Sequence, residues 1–321
     1  MRWSPRRRTT AALATVGRAL VVAAVVAPAA CSTVLGIEAD RTVGDPADAS
    51  TEASTEAPAD DAAPADPWAC VFEPHPSADP NMHVAVTLRV MDGIPPSIAA
   101  GAIDGGSDLD TVSGTWLPGV AVRDCDLRDP LCLDSPTPLT SDDSGTVTFD
   151  LKGDFAGFFD LRRDDLLPAT LYPGRLLAGV TAVSYPAYSI TPKEVWALAG
   201  TITSQPVALG ADGGLGLAVV TIYDCQDHQA PGVVVAYGTL GAQSVPFYFH
   251  GGLPSTAVGQ TDSYGLAGAI NVPDGTLTVT ATLTGNGGAP TTAPPGTVLG
   301  STTFDVRPGA ITFAWIRVRS L

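Results

Sequence analysis

Lysine is almost missing from this sequence of 321 residues: Lys152 and Lys193 stand among 17 basic residues set against 33 acidic ones. Five of the basic residues, Arg2, Arg6, Arg7, Arg8 and Arg18, precede Cys31, where there is no Asp or Glu, which leaves 12 basic against 33 acidic beyond that point. A surface this negative repels phosphate backbones and anionic headgroups, so the composition argues against nucleic-acid binding by counterion release. Histidine is nearly as scarce. His75 falls in an entry loop, His83 on the polar face of a strand, His228 in a turn and His250 at a strand end, and each reads as a surface or turn residue. No G-x-S-x-G, H-E-x-x-H, S-x-x-K or G-x-x-x-x-G-K-[ST] occurs, so serine-hydrolase, zincin, β-lactamase-type and P-loop chemistry lack their local signatures. No cysteine pair has zinc spacing, and nothing calls for a cofactor. Long helices are also excluded, because 34 Gly and 28 Pro interrupt the chain too often, while 45% apolar residues suffice for real cores. Turn-rich β structure is the expected class.

The N-terminus has a different character. Arg2 to Arg8 is positive, Ala19 to Ala27 is an unbroken apolar run, and Pro28-Ala29-Ala30 supplies small residues ahead of Cys31. This is the order of an export signal, with an apolar run too short to remain in a membrane. A cysteine directly after the small residues resembles the bacterial lipobox, which implies acylation of Cys31 and a signal peptide of residues 1–30. The alternative is an ordinary secretory signal cleaved near Ala30. Ser32 stands where an inner-membrane retention Asp would be, which favours the outer membrane. Residues 31–67 then read as a tether: Gly44 to Pro67 holds seven acidic residues, four prolines, no basic residue and no apolar side chain larger than Ala. Such a segment cannot bury a core, and as a flexible chain it spans about 27 Å.

Beyond Trp68 the strand signals begin. Residues 82–90 alternate Met82, Val84, Val86, Leu88 and Val90 with polar residues, the period of a half-buried strand. Further strands are expected at 119–124, 146–151 and 155–161, and in the C-terminal half at 216–224, 232–238, 245–251, 265–272, 275–283, 301–306 and 310–318. Between the halves, Thr191, Pro192 and Glu194 form the start of a capped helix that Gly200 is placed to end. The expected organisation is all-β: two tandem Ig-like or transthyretin-like β-sandwiches at 68–190 and 201–321, with one short helix at 191–200 between them. Arg317 and Arg319 at the last strand read as charges that discourage pairing with another chain. A weak repeat links the halves, with Asp-Cys at 124–125 and 224–225 and polar turns "SDDSG" at 141–145 and "TDSYG" at 261–265.

Setting Cys31 aside leaves four cysteines, an even number for an exported chain. Cys125 and Cys132 flank a short Asp/Pro turn and are expected to pair; Cys70 and Cys225 then pair by default, the alternative being two buried thiols. Asp104, Asp108 and Asp110 crowd one loop, where a Ca²⁺ site competes with the simpler reading of a solvated acidic loop. The aromatic run Phe247-Tyr248-Phe249 is the best binding candidate: alternation puts Phe247 and Phe249 in the core and Tyr248 outward, with His250 beside it. Asp142-Asp143 and Asp164-Asp165 are adjacent carboxylates in turns, a setting that usually just faces water.

The pattern "GVAV…SDDSGTVTFDL…FAGFFDL", with a second copy in "PGVVVAYG…TDSYGLAGAINVPDGTLTVTATL", resembles the carboxypeptidase-regulatory-like, or transthyretin-like, β-sandwich, a non-catalytic module. With the lipobox, "LGIEADRT", the acidic spacer and "DCDLRDPLC", the chain is similar to predicted outer-membrane lipoproteins of Gram-negative soil bacteria. The resemblance implies a non-enzymatic envelope protein held to the membrane through a lipid anchor, acting by interaction or adhesion on an envelope protein or a glycan. The alternative is a periplasmic or surface hydrolase, or a carbohydrate-binding accessory protein, with its site in the loops around Phe247 to Pro254. A Lys-to-Asn crosslink of the kind found in adhesin sandwiches has no lysine available after Lys193.

Overall fold

The alternating segment forms β1 (His83–Asp92), with Val84, Val86, Leu88 and Val90 fully buried. It is the middle of a three-stranded sheet, antiparallel to β4 (Thr146–Lys152) and parallel to β7 (Ala182–Ser189). The computed structural model describes residues 66–73, 79–93, 115–134, 137–176, 178–203, 207, 209, 214–285 and 293–318. The signal segment, Cys31, the tether as far as residue 65, His75, the Asp104–Asp108–Asp110 loop and Arg319 lie outside them.

The remaining strands are β2 (Ala121–Asp126), β3 (Leu139–Thr140), β5 (Gly157–Arg162), β6 (Ala169–Tyr172), β8 (Leu215–Tyr223), β9 (Val233–Tyr237), β10 (Val245–His250), β11 (Leu253–Ser255), β12 (Leu266–Pro273), β13 (Gly275–Leu283), β14 (Val298–Val306) and β15 (Ile311–Arg317). Nine of them make one sheet in the order β11-β10-β12-β8-β15-β6-β5-β2-β3, and β14-β13-β9 make a third. Every strand expected from the sequence is found, and the all-β class holds. The two halves share the central sheet, because β15 lies between β8 and β6 and pairs parallel with both. The expected boundary near residue 190 therefore falls inside a unit whose hydrogen-bonded sheet crosses it.

The central sheet is covered on both faces, which explains why β8 reads as a nearly unbroken apolar run, "LGLAVVTIY". Leu217 and Val219 of β8, Phe313 and Trp315 of β15, and Phe247 and Phe249 of β10 point to one core with β1, β4 and β7. Ala218, Val220 and Ile222 of β8, Ala314 and Ile316 of β15, and Ala267 and Ala269 of β12 point to the other, against β9, β13 and β14. Gly268 of β12 shows how tightly the first core is packed: a Cβ there would come within 2.4 Å of the Phe247 ring.

The helix α1 (Pro192–Ile202) starts as expected. Thr191 Oγ1 accepts from the Glu194 N–H at 3.3 Å, and Glu194 Oε2 accepts from the Thr191 N–H at 2.9 Å. It does not stop at Gly200. Two more helical residues bring Ile202 into the first core beside Val195 and Ala199, and burial of that side chain outweighs the glycine's preference for a left-handed end. Arg317 is also corrected. β15 is an interior strand, and the Arg317 guanidinium sits 4.9 to 5.1 Å from the ring centres of Tyr185, Tyr223 and Trp315, with its side chain 12% exposed. It clamps aromatic packing and guards no edge.

Candidate functional site

Both repeated turns are built alike, and each uses its carboxylate on its own backbone. Asp142 Oδ1 accepts from the Ser144 and Thr146 N–H groups at 2.9 and 2.8 Å, and Gly145 closes the turn at φ +72°. Asp262 Oδ1 accepts from Tyr264 N–H at 3.0 Å, and Gly265 closes at φ +59°. The residue ahead of each Asp, unremarked in the sequence, completes the correspondence: Ser141 Oγ accepts from Val120 N–H at 2.9 Å and donates to Leu117 O at 2.8 Å, and Thr261 Oγ1 does the same with Val233 N–H at 3.0 Å and Ala230 O at 2.7 Å. These buried hydroxyls fasten each turn to the loop before β2 or β9.

In each adjacent carboxylate pair, one member is held. The Ser144 hydroxyl and then the Thr146 N–H hold Asp142 below the ordinary carboxylate range, and the Arg163 guanidinium, bonded at 2.6 and 3.0 Å, does so for Asp165. Both stay ionised at neutral pH, a poor state for proton transfer. Asp160, with its side chain only 2% exposed, holds Arg162 Nε and Arg307 Nη1 at 2.8 Å each. Arg307 also donates to Pro130 O and lies 5.2 Å from the Phe158 ring centre, so it joins the β14–β15 turn to β5 and to the loop after β2. No group of three His, Cys, Asp or Glu suited to a metal exists among the described residues.

Asp224 is a buried carboxylate with a consequence for pH. It ends β8 and accepts from Gln226 and His228 N–H at 2.8 and 2.9 Å, yet burial pushes its pKa up despite those bonds. An acid whose folded pKa is raised contributes most when protonated, and that contribution is lost as pH rises through the raised value. Asp224→Asn keeps the acceptor oxygen and cannot titrate. Its stability relative to wild type should therefore grow as pH rises from about 3 to about 7, read as the difference between urea midpoints; a constant difference would remove Asp224 from the pH profile.

The predicted binding residues part company. Phe247 and Phe249 are in the first core as expected, their rings 5.6 Å apart. Tyr248 is on the opposite face, but that face is also covered. Its hydroxyl accepts from Val235 N–H at 3.0 Å and lies 3.4 Å from Val235 O, so it is a packing residue of β9 and β10 and does not point outward. His250 is exposed at the strand end, and Leu253 beyond it is 64% exposed. His83 pairs with Asp150 at 3.0 Å on the open face of β1 and β4.

The most organised exposed feature is elsewhere. β2, β6, β15 and β8 run in one direction, so their C-terminal ends share one end of the central sheet. Both disulfides form there. Cys70–Cys225, with Cα atoms 5.7 Å apart, ties a short 3-10 turn (Ala69–Phe72) to the residue after Asp224, and Cys225 N–H donates to Pro67 O at 2.9 Å. Cys125–Cys132, with Cα atoms 5.2 Å apart, closes the loop after β2. Asp126 Oδ1 accepts from Arg128 N–H and Asp129 Oδ2 from Asp134 N–H, each at 2.8 Å. On this fastened loop Leu127, Leu131 and Leu133 are 47, 65 and 77% exposed. Leucines inside an Asp/Pro turn were the available signal in the sequence. Beside Leu127 opens a cleft of about 380 Å³ that reaches Tyr172, Arg175 and Ser301 to Thr303. Burial raises the Tyr172 hydroxyl to about 12, and it accepts from Asp305 N–H at 3.3 Å.

Fold and site together define an all-β, doubly disulfide-bonded protein. No family model and no curated protein matches the chain. Solved structures similar to it include the shaft pilin SpaA of Lactobacillus rhamnosus GG, 12% identical over 73% of this chain and 97% of that one, TM-score 0.23. Others are the minor pilin GBS52 of Streptococcus agalactiae, 12% identical over 73% and 94%, TM-score 0.20, and the Bacillus anthracis TIE protein, 13% identical over 73% and 34%, TM-score 0.20. At these values neither a role nor an activity follows from the likeness. Among the described residues no helix is long and apolar enough to cross a membrane.

Proposed function

We propose that the chain is a non-enzymatic protein of the bacterial cell envelope, lipid-anchored through Cys31 at the outer membrane, that works by interaction through a β unit held on the acidic tether. The relation to transthyretin-like lipoproteins belongs to the same proposal. The observation that carries the reading is the Cys70–Cys225 bond: it fixes the point where the tether segment meets the folded unit to the end of β8, in a chain whose disulfides need an oxidising compartment. The acidic spacer and the small residues before Cys31 supply the rest.

Cys31→Ala is expected to move the bulk of the protein from the membrane to the soluble fraction while leaving its thermal melting unchanged, because the acyl chains provide the attachment and the folded unit begins beyond the tether. Fractionation with a palmitate analogue reads both. Equal membrane binding of wild type and variant, or no label on the wild type, removes the anchor from the proposal.

A further inference from the structure

We propose that the disulfide-closed loop of residues 125–132, with Leu133 and Asp134 directly after it, is a preorganised docking knob for another envelope protein, one that offers an apolar pocket rimmed by Lys or Arg. This deepens the interaction reading above and rests on it. Leu127, Leu131 and Leu133 are all exposed, and Leu133 at 77% is the most exposed large apolar side chain among the described residues. Exposed leucines on a mobile loop would need no explanation, but this loop is held at several points. The Cys125–Cys132 bond closes it, Asp129 N–H donates to Asp126 O at 3.0 Å, Cys132 N–H donates to Asp129 O at 2.9 Å, and Arg307 donates to Pro130 O. Ordering a loop before it binds removes an entropic penalty that binding would otherwise carry. Leu131 and Leu133 are mostly exposed and Leu127 is half-exposed at the cleft, so the order presents apolar side chains to what lies outside.

Charge selects the partner. Asp126, Asp129 and Asp134 surround the leucines, Arg128 is the one basic residue of the loop itself, Arg307 beneath it is paired with Asp160, and the chain's net charge is −16. A second copy of this chain or an anionic lipid surface meets like charge, whereas a pocket rimmed by Lys or Arg meets its complement. The cleft beside Leu127 extends the surface toward Arg175 and Ser301, so the partner can seat side chains on one side of the knob while accepting the leucines on the other. A central apolar cluster with a polar rim is the usual anatomy of such contacts.

The test places a photo-crosslinking amino acid at Leu131 of the full chain in the producing bacterium, with mass-spectrometric mapping of both sides of any adduct. The expected result is an adduct to an envelope protein at an apolar pocket bordered by Lys or Arg. Its yield should fall about tenfold with Leu127→Ser/Leu133→Ser and fall also with Asp134→Lys, whose side chain fastens nothing in the loop, at unchanged urea midpoints. An adduct to a second copy, to lipid, or to a surface without that basic border overturns the proposal, as does no adduct. So does Leu131-dependent cosedimentation of the soluble Cys31→Ala chain with phosphatidylethanolamine/phosphatidylglycerol vesicles. Fractionating the same cells separates the two readings. Loss of the adduct with Cys31-dependent attachment intact removes only the knob; loss of attachment with the adduct intact removes only the anchor.

Discussion

Asp160→Ala is expected to destabilise the folded unit by about 3–5 kcal/mol. The carboxylate is buried, and its two oxygens hold Arg162, which is largely solvated, and Arg307, whose side chain is 15% exposed. Removing it leaves the Arg307 guanidinium desolvated beside the Phe158 ring with its charge uncompensated, and the loss of an ion partner under burial outweighs the small cavity created. The control is the paired replacement Asp160→Leu/Arg307→Met, which removes both charges and should recover much of the loss, since an apolar pair of similar volume often matches a buried ion pair. Guanidinium unfolding with the disulfides intact measures all three. An Asp160→Ala effect below about 1 kcal/mol would place this pair with ordinary surface salt bridges.

The second large effect concerns the long disulfide. Cys70→Ser/Cys225→Ser should lower stability by about 4–5 kcal/mol, because the bond closes a loop of sequence separation 155 and loop-closure entropy grows with the logarithm of length. Cys125→Ser/Cys132→Ser, at separation 7, should lose only about 2–3 kcal/mol. The order of the two is the sharper test: if the short loop's loss is the greater, the stabilisation comes from local packing in that loop and chain entropy is not its main source.

How much of this was legible in the sequence depended on whether the signal was local. β1, β13 and the capped start of α1 announce themselves by period or by spacing, and both disulfides followed from parity and one short turn. β6 did not, because Pro168 and Pro173 bracket only four residues and one of its two partners, β15, lies far along the chain. β7 was hidden by Pro186, which an edge strand tolerates since its missing N–H faces away from β1. Tyr248 was misplaced for one reason: alternation assigns faces, but only topology says that both faces of β10 are covered. The leucine knob was passed over because apolar residues in a turn carry no period.

The place of β15 has a consequence for how the molecule comes into being. Of all the described strands it is the furthest along the chain, yet it sits in the middle of the nine-stranded sheet, bridging β8 and β6. Until residues 311–317 are available, β5, β6, β2 and β3 have no link to β8, β12, β10 and β11, and neither core has its central wall. A chain emerging from its N-terminal end therefore cannot complete this sheet piecemeal. The sheet stays open until β15 has been delivered, then closes through contacts of large sequence separation, a slow class of folding step. For the exported protein proposed above, such a delay favours passage across the membrane before the sheet closes.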